Sequence, residues 1–247
     1  MIFQNFGFNR QIVKAAGGGN TYNYPSGAFA IYDFGNPSSY GGSGTTVYDV
    51  SGNSNNGNLN NSPTWSSTNG GILQLVQASS QYIDYIGTFT PDGTYVFIWK
   101  NTDTTFNKDV GFPTFRSAYG GIYCILGGEK GYVPIPFNNS TGANTYFGAK
   151  STPTNITIWH QYASVVDSIS STSTTCTTYL DGNTSSASEN KNFNRTGTSN
   201  SGTTYIGRDD AVGDRYANGY LMAYLHYNKT LTTTELTDIY NNFSTRF

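Results

Sequence analysis

SYGGSGTTVYDVSGNSNNGNL, Ser39–Leu59, sets the reading of this chain. Gly41, Gly42, Gly44, Gly52 and Gly57 accept positive φ, and Asn53, Asn55, Asn56 and Asn58 can bond their own main chain, all around one carboxylate, Asp49. Such chemistry fits a long ordered loop and neither a helix nor a core strand. Beyond Leu59 the chain becomes a series of short apolar runs, so the loop reads as the opening of an all-β domain.

Working outward, Ala28–Asp33 (AFAIYD) alternates as a strand does, and Gly71–Leu75 and Tyr82–Tyr85 follow the loop. Thr94–Lys100 (TYVFIWK) and Ile122–Leu126 (IYCIL) are apolar, β-branched and aromatic, the composition of strands at the centre of a sheet. Gly127–Gly131 reads as a tight turn and Asn144–Ala149 as a short strand. Ile156–Val166 (ITIWHQYASVV) reads as one long strand with Trp159 as a core anchor. Thr177–Leu180 followed by Asp181 and Gly182 reads as a strand running into a hairpin turn. Thr203–Gly207 and Tyr220–Tyr227 complete the set. One helix is predicted: Thr232 as N-cap and Glu235 three residues on form a capping box, and Leu236, Ile239, Tyr240 and Phe243 fall on one face. About ten short strands with one terminal helix predict an all-β fold, a two-sheet antiparallel sandwich.

Composition narrows the function. Of 247 residues, 15% are aromatic and only 11% charged, under half of the usual ~25% charged share. Polarity comes instead from Gly, Ser, Thr and Asn. A net charge of −2 with no Lys/Arg cluster argues against nucleic acid and anionic membrane as partners. Cys124 and Cys176 form no CxxC or Cys/His set and read as buried thiols, with a disulfide as the alternative. No signal peptide or transmembrane span is read, which predicts a soluble protein. Residues 1–25 stand apart from a domain over 26–247. Phe3, Phe6, Phe8 and Ile12 precede a Gly17–Gly19 hinge, and they suit either a strand laid on the domain or an arm docking into another protein.

An ordered motif series runs through the chain. It comprises Tyr48-Asp49-Val50-Ser51-Gly52-Asn53 with Asn56-Gly57-Asn58-Leu59, Tyr82-Ile83-Asp84, Trp99 and Trp159-His160. Tyr179-Leu180-Asp181-Gly182, Ile206-Gly207-Arg208, Gly219-Tyr220-Leu221 and Tyr227 to Thr232 with Glu235 complete it. It resembles the laminin-G-like, concanavalin A-like lectin/glucanase superfamily over roughly residues 27–247. The resemblance implies a jelly-roll of two curved antiparallel sheets. Gly35 to Tyr40 through Asn61-Ser62-Pro63 looks like the opening of such domains in tailed-phage virion proteins. That resemblance implies a virion structural protein, a head decoration, fibre or tail component assembled in the host cytoplasm. Its expected partners are other virion proteins reached through the arm, further copies of itself, and glycans.

Catalysis is not expected. Glycoside hydrolysis needs two carboxyls ~5–9.5 Å apart, and none of Glu129, Glu189 and Glu235 falls in the glucanases' E-x-D-x-x-E strand. Asp84 and Asp167 have no identifiable partner in the sequence. His160 and His226 read as half-buried sheet residues, and there is no G-x-S-x-G elbow. No cofactor is expected, with calcium the one candidate: Asp49, Asn53 and Asn55 offer oxygen donors in the opening loop, and Asp209, Asp210 and Asp214 offer a second set. The alternative is that the first set forms Asx-turns and the second pairs with Arg208 and Arg215. For sugar stacking the candidates are Tyr119, Tyr132 and Tyr216, all in expected loops.

Overall fold

A computed structural model of the chain describes residues 10–14, 21–90, 92–104, 110–115, 121–127, 131–137, 153, 155–170, 173–191, 200–209 and 215–247. In chain order the strands are β1 (Arg10–Lys14), β2 (Thr21–Pro25), β3 (Ala28–Asp33), β4 (Thr46–Val47), β5 (Gly57–Asn60) and β6 (Thr64–Ser66). They continue with β7 (Ile72–Leu75), β8 (Tyr82–Phe89), β9 (Gly93–Asn101), β10 (Val110–Phe115), β11 (Gly121–Gly127) and β12 (Gly131–Phe137). The last are β13 (His160–Ser170), β14 (Ser173–Leu180), β15 (Asn183–Lys191), β16 (Asn200–Ile206) and β17 (Gly219–Tyr227), before helix α1 (Thr233–Ser244).

They build a two-sheet antiparallel sandwich with one short C-terminal helix, as the sequence predicts. One sheet has seven strands in the order β12-β11-β10-β16-β8-β5-β4. The other has eight, β15-β14-β13-β9-β17-β7-β6 with β3 also on β17. The chain passes repeatedly from sheet to sheet, so each hairpin is locally paired while the core is assembled from distant segments. β1 and β2 form a separate antiparallel hairpin.

The two sheets differ in how their strands are buried, and the residues say why. β9 and β17 are apolar nearly throughout and buried on both faces. Their inward side chains (Phe97, Trp99, Leu221, Tyr224) meet Ile83, Tyr85, Phe89, Phe112 and Ile206 of the opposing sheet. Their outward ones (Val96, Ile98, Ala223, Leu225) carry a second core formed with Tyr24, Leu236, Ile239 and Phe243. Thus α1 lies on the outer face of the eight-stranded sheet. β8, by contrast, alternates strictly: Ile83, Tyr85, Gly87 and Phe89 point inward, and Tyr82, Asp84, Ile86 and Thr88 point outward. The outer face of the seven-stranded sheet is left without a covering element among the described residues.

Three sequence readings change. The Ser39–Leu59 loop contains the short hairpin β4–β5, which joins the seven-stranded sheet with β5 against β8 and β4 at the edge. The strand expected over Ile156–Val166 starts at His160 and runs on to Ser170. Ile156–Trp159 form a turn whose Trp159 packs in the outer core. The cause is Asn155, whose side chain accepts from the Thr157 N–H (2.9 Å) and hydroxyl (2.7 Å) and so closes a local turn in place of a ladder. His226 is not half-buried but wholly enclosed.

β17 is shared end to end along one edge: β7 pairs with Gly219–Leu221, and β3 pairs with Ala223–Tyr227. Arg246 stitches the seam. Its Nη1 reaches Asp33 Oδ1 (2.8 Å), Nη2 the Gly71 carbonyl (2.9 Å) and Nε the Asn69 carbonyl (3.1 Å). A Cβ at Gly35 would collide with that guanidinium. Asp33, fully buried, also accepts from the Tyr24 hydroxyl and the Gly35 N–H (both 2.8 Å).

Within residues 1–25, Phe3, Phe6, Phe8 and the Gly17–Gly19 hinge lie outside the described residues. Ile12 is in β1, opposite Asn23 of β2. Tyr24, in the same span, packs against Phe243 of α1 with ring centres 6.4 Å apart.

Candidate functional site

The uncovered sheet face collects groups suited to binding. At one end the rings of Tyr82 (β8), Tyr205 (β16) and Tyr216 converge: Tyr82 and Tyr205 meet edge-on at 5.8 Å, and Tyr82 and Tyr216 lie 6.0 Å apart. The Arg208 guanidinium sits 4.8 Å from the Tyr205 ring centre, 4.9 Å from Tyr82 and 5.9 Å from Tyr216. A cation over several ring faces fixes those rings through their quadrupoles. Beside them, Asp84 stands opposite both Tyr205 and Asn58, and the Asn58 side chain donates to Asp84 Oδ1 (3.1 Å). Further along come Ile86, 62% exposed, and Thr88, whose hydroxyl is 2.7 Å from that of Ser201.

Of the three tyrosines expected to bind sugar, Tyr216 falls in this cluster. Tyr119 lies outside the described residues, and Tyr132 is in β12, in the same sheet but three strands from β16. Tyr82 and Tyr205 were read from the sequence only as strand residues. The signal that would have found them is strand phase: in YIDYIGTF the inward positions hold Ile83, Tyr85 and Phe89, which turns Tyr82 outward.

Asp49 has a different occupation. Its Oδ1 accepts from the Ile31 and Ser51 N–H groups (both 2.8 Å), and its Oδ2 from the Ser51 hydroxyl (2.7 Å) and the Asn55 N–H (3.1 Å). The side-chain N–H groups of Asn53 and Asn55 donate to the Phe29 carbonyl (3.2 and 2.7 Å), and Asn53 also reaches that of Ala28 (2.7 Å). This carboxylate ties loop to strand as an Asx-turn centre does. In the second candidate set, Asp209 is fully buried, 3.5 Å from Arg215 Nη1, and Asp214 lies outside the described residues. Among the described residues no three His, Cys, Asp or Glu side chains group as a metal site would require.

The other polar groups are structural in their surroundings. Asp84 and Asp167 lie in different sheets. Glu235 closes the helix cap, Glu189 is in β15 opposite Cys176, and Glu129 lies outside the described residues. Cys176 is buried in β14, while Cys124 is in β11 of the other sheet. His226 stacks on Phe89 (5.0 Å), and burial pushes its pKa down to about 3 despite the bond to Asn228. In that neutral ring Nε2 donates to Asn228 Oδ1 (3.0 Å) and Nδ1 accepts from the Tyr85 hydroxyl (3.0 Å). His160 is shifted the opposite way. Its burial opposes charge, but Asp181 Oδ2 at 2.8 Å and the Asn155 carbonyl at 2.7 Å outweigh it, so the pKa is raised.

No family model and no curated protein matches the chain in sequence. Solved structures match in fold. Domain 4 of AbnA, a GH43 extracellular arabinanase from Geobacillus stearothermophilus solved in complex with arabinotriose, superposes with a TM-score of 0.60 at 14% identity, over 87% of this chain and 98% of that domain. The binding domain of Paraclostridial Mosquitocidal Protein 1 gives 0.67 at 14% identity, over 88% of this chain and 52% of the other. The receptor binding domain of botulinum neurotoxin type G gives 0.60 at 14%, over 87% and 51%. This chain therefore spans about half the length of these two binding domains. At such identity the likeness is one of fold.

Proposed function

We propose that this protein is a non-enzymatic binding domain that adheres to glycans through the outer face of its seven-stranded sheet. The observation that carries the reading is the asymmetry of the sandwich: α1 and β2 cover one outer face, and the other presents Tyr82, Tyr205 and Tyr216 beside the Asn58–Asp84 pair. Sugar rings offer apolar C–H faces that stack on aromatic rings and hydroxyls that bond to planar amides and carboxylates. Arg208 holds the rings in place before a ligand arrives, which lowers the ordering cost of binding. The fold neighbours support the reading, since one was solved with an arabinotriose and two are binding domains.

The setting we propose is the tailed-phage particle, on the strength of the sequence resemblance, with residues 1–25 as the attachment. Glycan-array binding of the wild-type chain, lost in Tyr82→Ala and Tyr205→Ala, is the expected result for the sheet face. An array with no signal above background would sink it. For the setting, mass spectrometry should find the chain in purified particles and lose it when residues 1–20 are deleted; unchanged incorporation would remove the arm.

A further inference from the structure

A second concavity lies on the opposite side of the molecule, between β2 and α1, with a volume of about 590 Å3. That volume lies within the ~300–1,000 Å3 of small-molecule sites. One wall is the apolar pair Tyr24 and Pro25. Tyr24 is fixed from two directions, its ring against Phe243 and its hydroxyl on the buried Asp33, which Arg246 holds in turn. The other walls carry the carboxamides of Asn23, Asn241 and Asn242 and the hydroxyl of Thr234. Among the described residues none of these four side chains is engaged in a hydrogen bond. Two acidic residues, Glu235 and Asp238, also line the cleft, and Glu235 is already committed to the Thr232 N–H and hydroxyl and to Lys229.

The chemistry of that lining selects a ligand class. The lining holds Glu235 and Asp238 and no lysine or arginine, so an anion finds no counter-charge, while the two acidic side chains can accept from sugar hydroxyls. Three carboxamides each offer donors and an acceptor in one plane, the complement of neighbouring hydroxyl groups that both donate and accept. A fixed aromatic and a proline beside them suit the C–H edge of a ring. We infer that the β2–α1 cleft is a second binding site, taking a single neutral sugar residue and independent of the sheet face.

The test uses the full chain and four probes: the methyl glycosides of glucose, galactose, N-acetylglucosamine and arabinose, followed by saturation-transfer NMR. Asn241→Leu/Asn242→Leu is the cleft variant, since leucine is the better helix former and both positions lie on the solvent side of α1. Asn23→Ala is its partner on β2, in case the helix variant loses stability. Tyr82→Ala/Tyr205→Ala reports on the sheet face. At least one probe should receive saturation from the wild type. That signal should fall at least fivefold in the helix variant or in Asn23→Ala and persist in the tyrosine variant. No transfer to any probe, or transfer that survives both cleft variants, overturns the site. A signal lost only with the tyrosines also overturns it and leaves the sheet-face reading standing.

Discussion

Asp49 ties the opening loop together. Its carboxylate accepts four hydrogen bonds, one of them from Ile31 across to β3. Charge-assisted bonds contribute ~1.5–3 kcal/mol each when the partner would otherwise be stranded, and they are not additive, so Asp49→Ala should destabilise by about 3 kcal/mol. Urea unfolding measures this, and the midpoint of the wild type should be the same in calcium and in chelator. A calcium-dependent midpoint would instead make Asp49 a ligand. Arg246→Lys should cost about 3–5 kcal/mol, because an ammonium cannot reach Asp33 and two carbonyls at once and the buried carboxylate loses its partner. The histidines bend the pH profile in opposite senses. His226 has a folded pKa of about 3, below the unfolded 6.5, so its contribution is full above pH 6.5 and is lost as pH falls towards 3, by up to ~1.4 kcal/mol per pH unit. His160 has a raised folded pKa, so the stability it adds is full below pH 6.5 and is lost as pH rises through the folded value. His160→Asn should therefore destabilise more at pH 5 than at pH 8 in urea titrations; equal losses would show that its charge contributes nothing.

Strands and helix show how far local pattern reaches. The continuous apolar runs of β9 and β17 and the strict alternation of β8 state in sequence which sheet is buried on both faces and which on one. The capping box of α1 was readable for the same reason: its bonds join residues three apart, with Glu235 N–H to Thr232 Oγ1 at 3.2 Å and Thr232 N–H to Glu235 Oε2 at 2.8 Å. Thr232→Ala should cost ~1 kcal/mol, seen as a lower thermal midpoint in a melting experiment. Asp181 and Gly182, both at positive φ, close the β14–β15 hairpin as their identity requires. The start of β13 was misread because ITIW has strand propensity throughout. Propensity cannot see Asn155 competing for the backbone of Thr157.

At the scale of the whole molecule the deciding fact is which face the helix covers. α1 turns Leu236, Ile239 and Phe243 onto Val96, Ile98 and Leu225, and among the described residues no element covers the tyrosine-bearing face. If that face is the binding surface, Ile86→Lys, in the midst of it and 62% exposed, should leave stability within ~0.5 kcal/mol while weakening glycan binding severalfold. A titration in which binding is untouched would move the site elsewhere. Sequence by itself determined the all-β class, most strand positions, the helix with its cap, and the low charge that argues against nucleic acid. All of these are written in neighbours a few residues apart. The tertiary structure alone decided that Tyr82, Tyr205, Tyr216 and Arg208 meet, that Asn23 faces Asn241 and Asn242 across a cleft, and that Arg246 seals the seam beside β17. Those partners lie far apart along the chain, and only the register of two sheets and the seating of one helix bring them together.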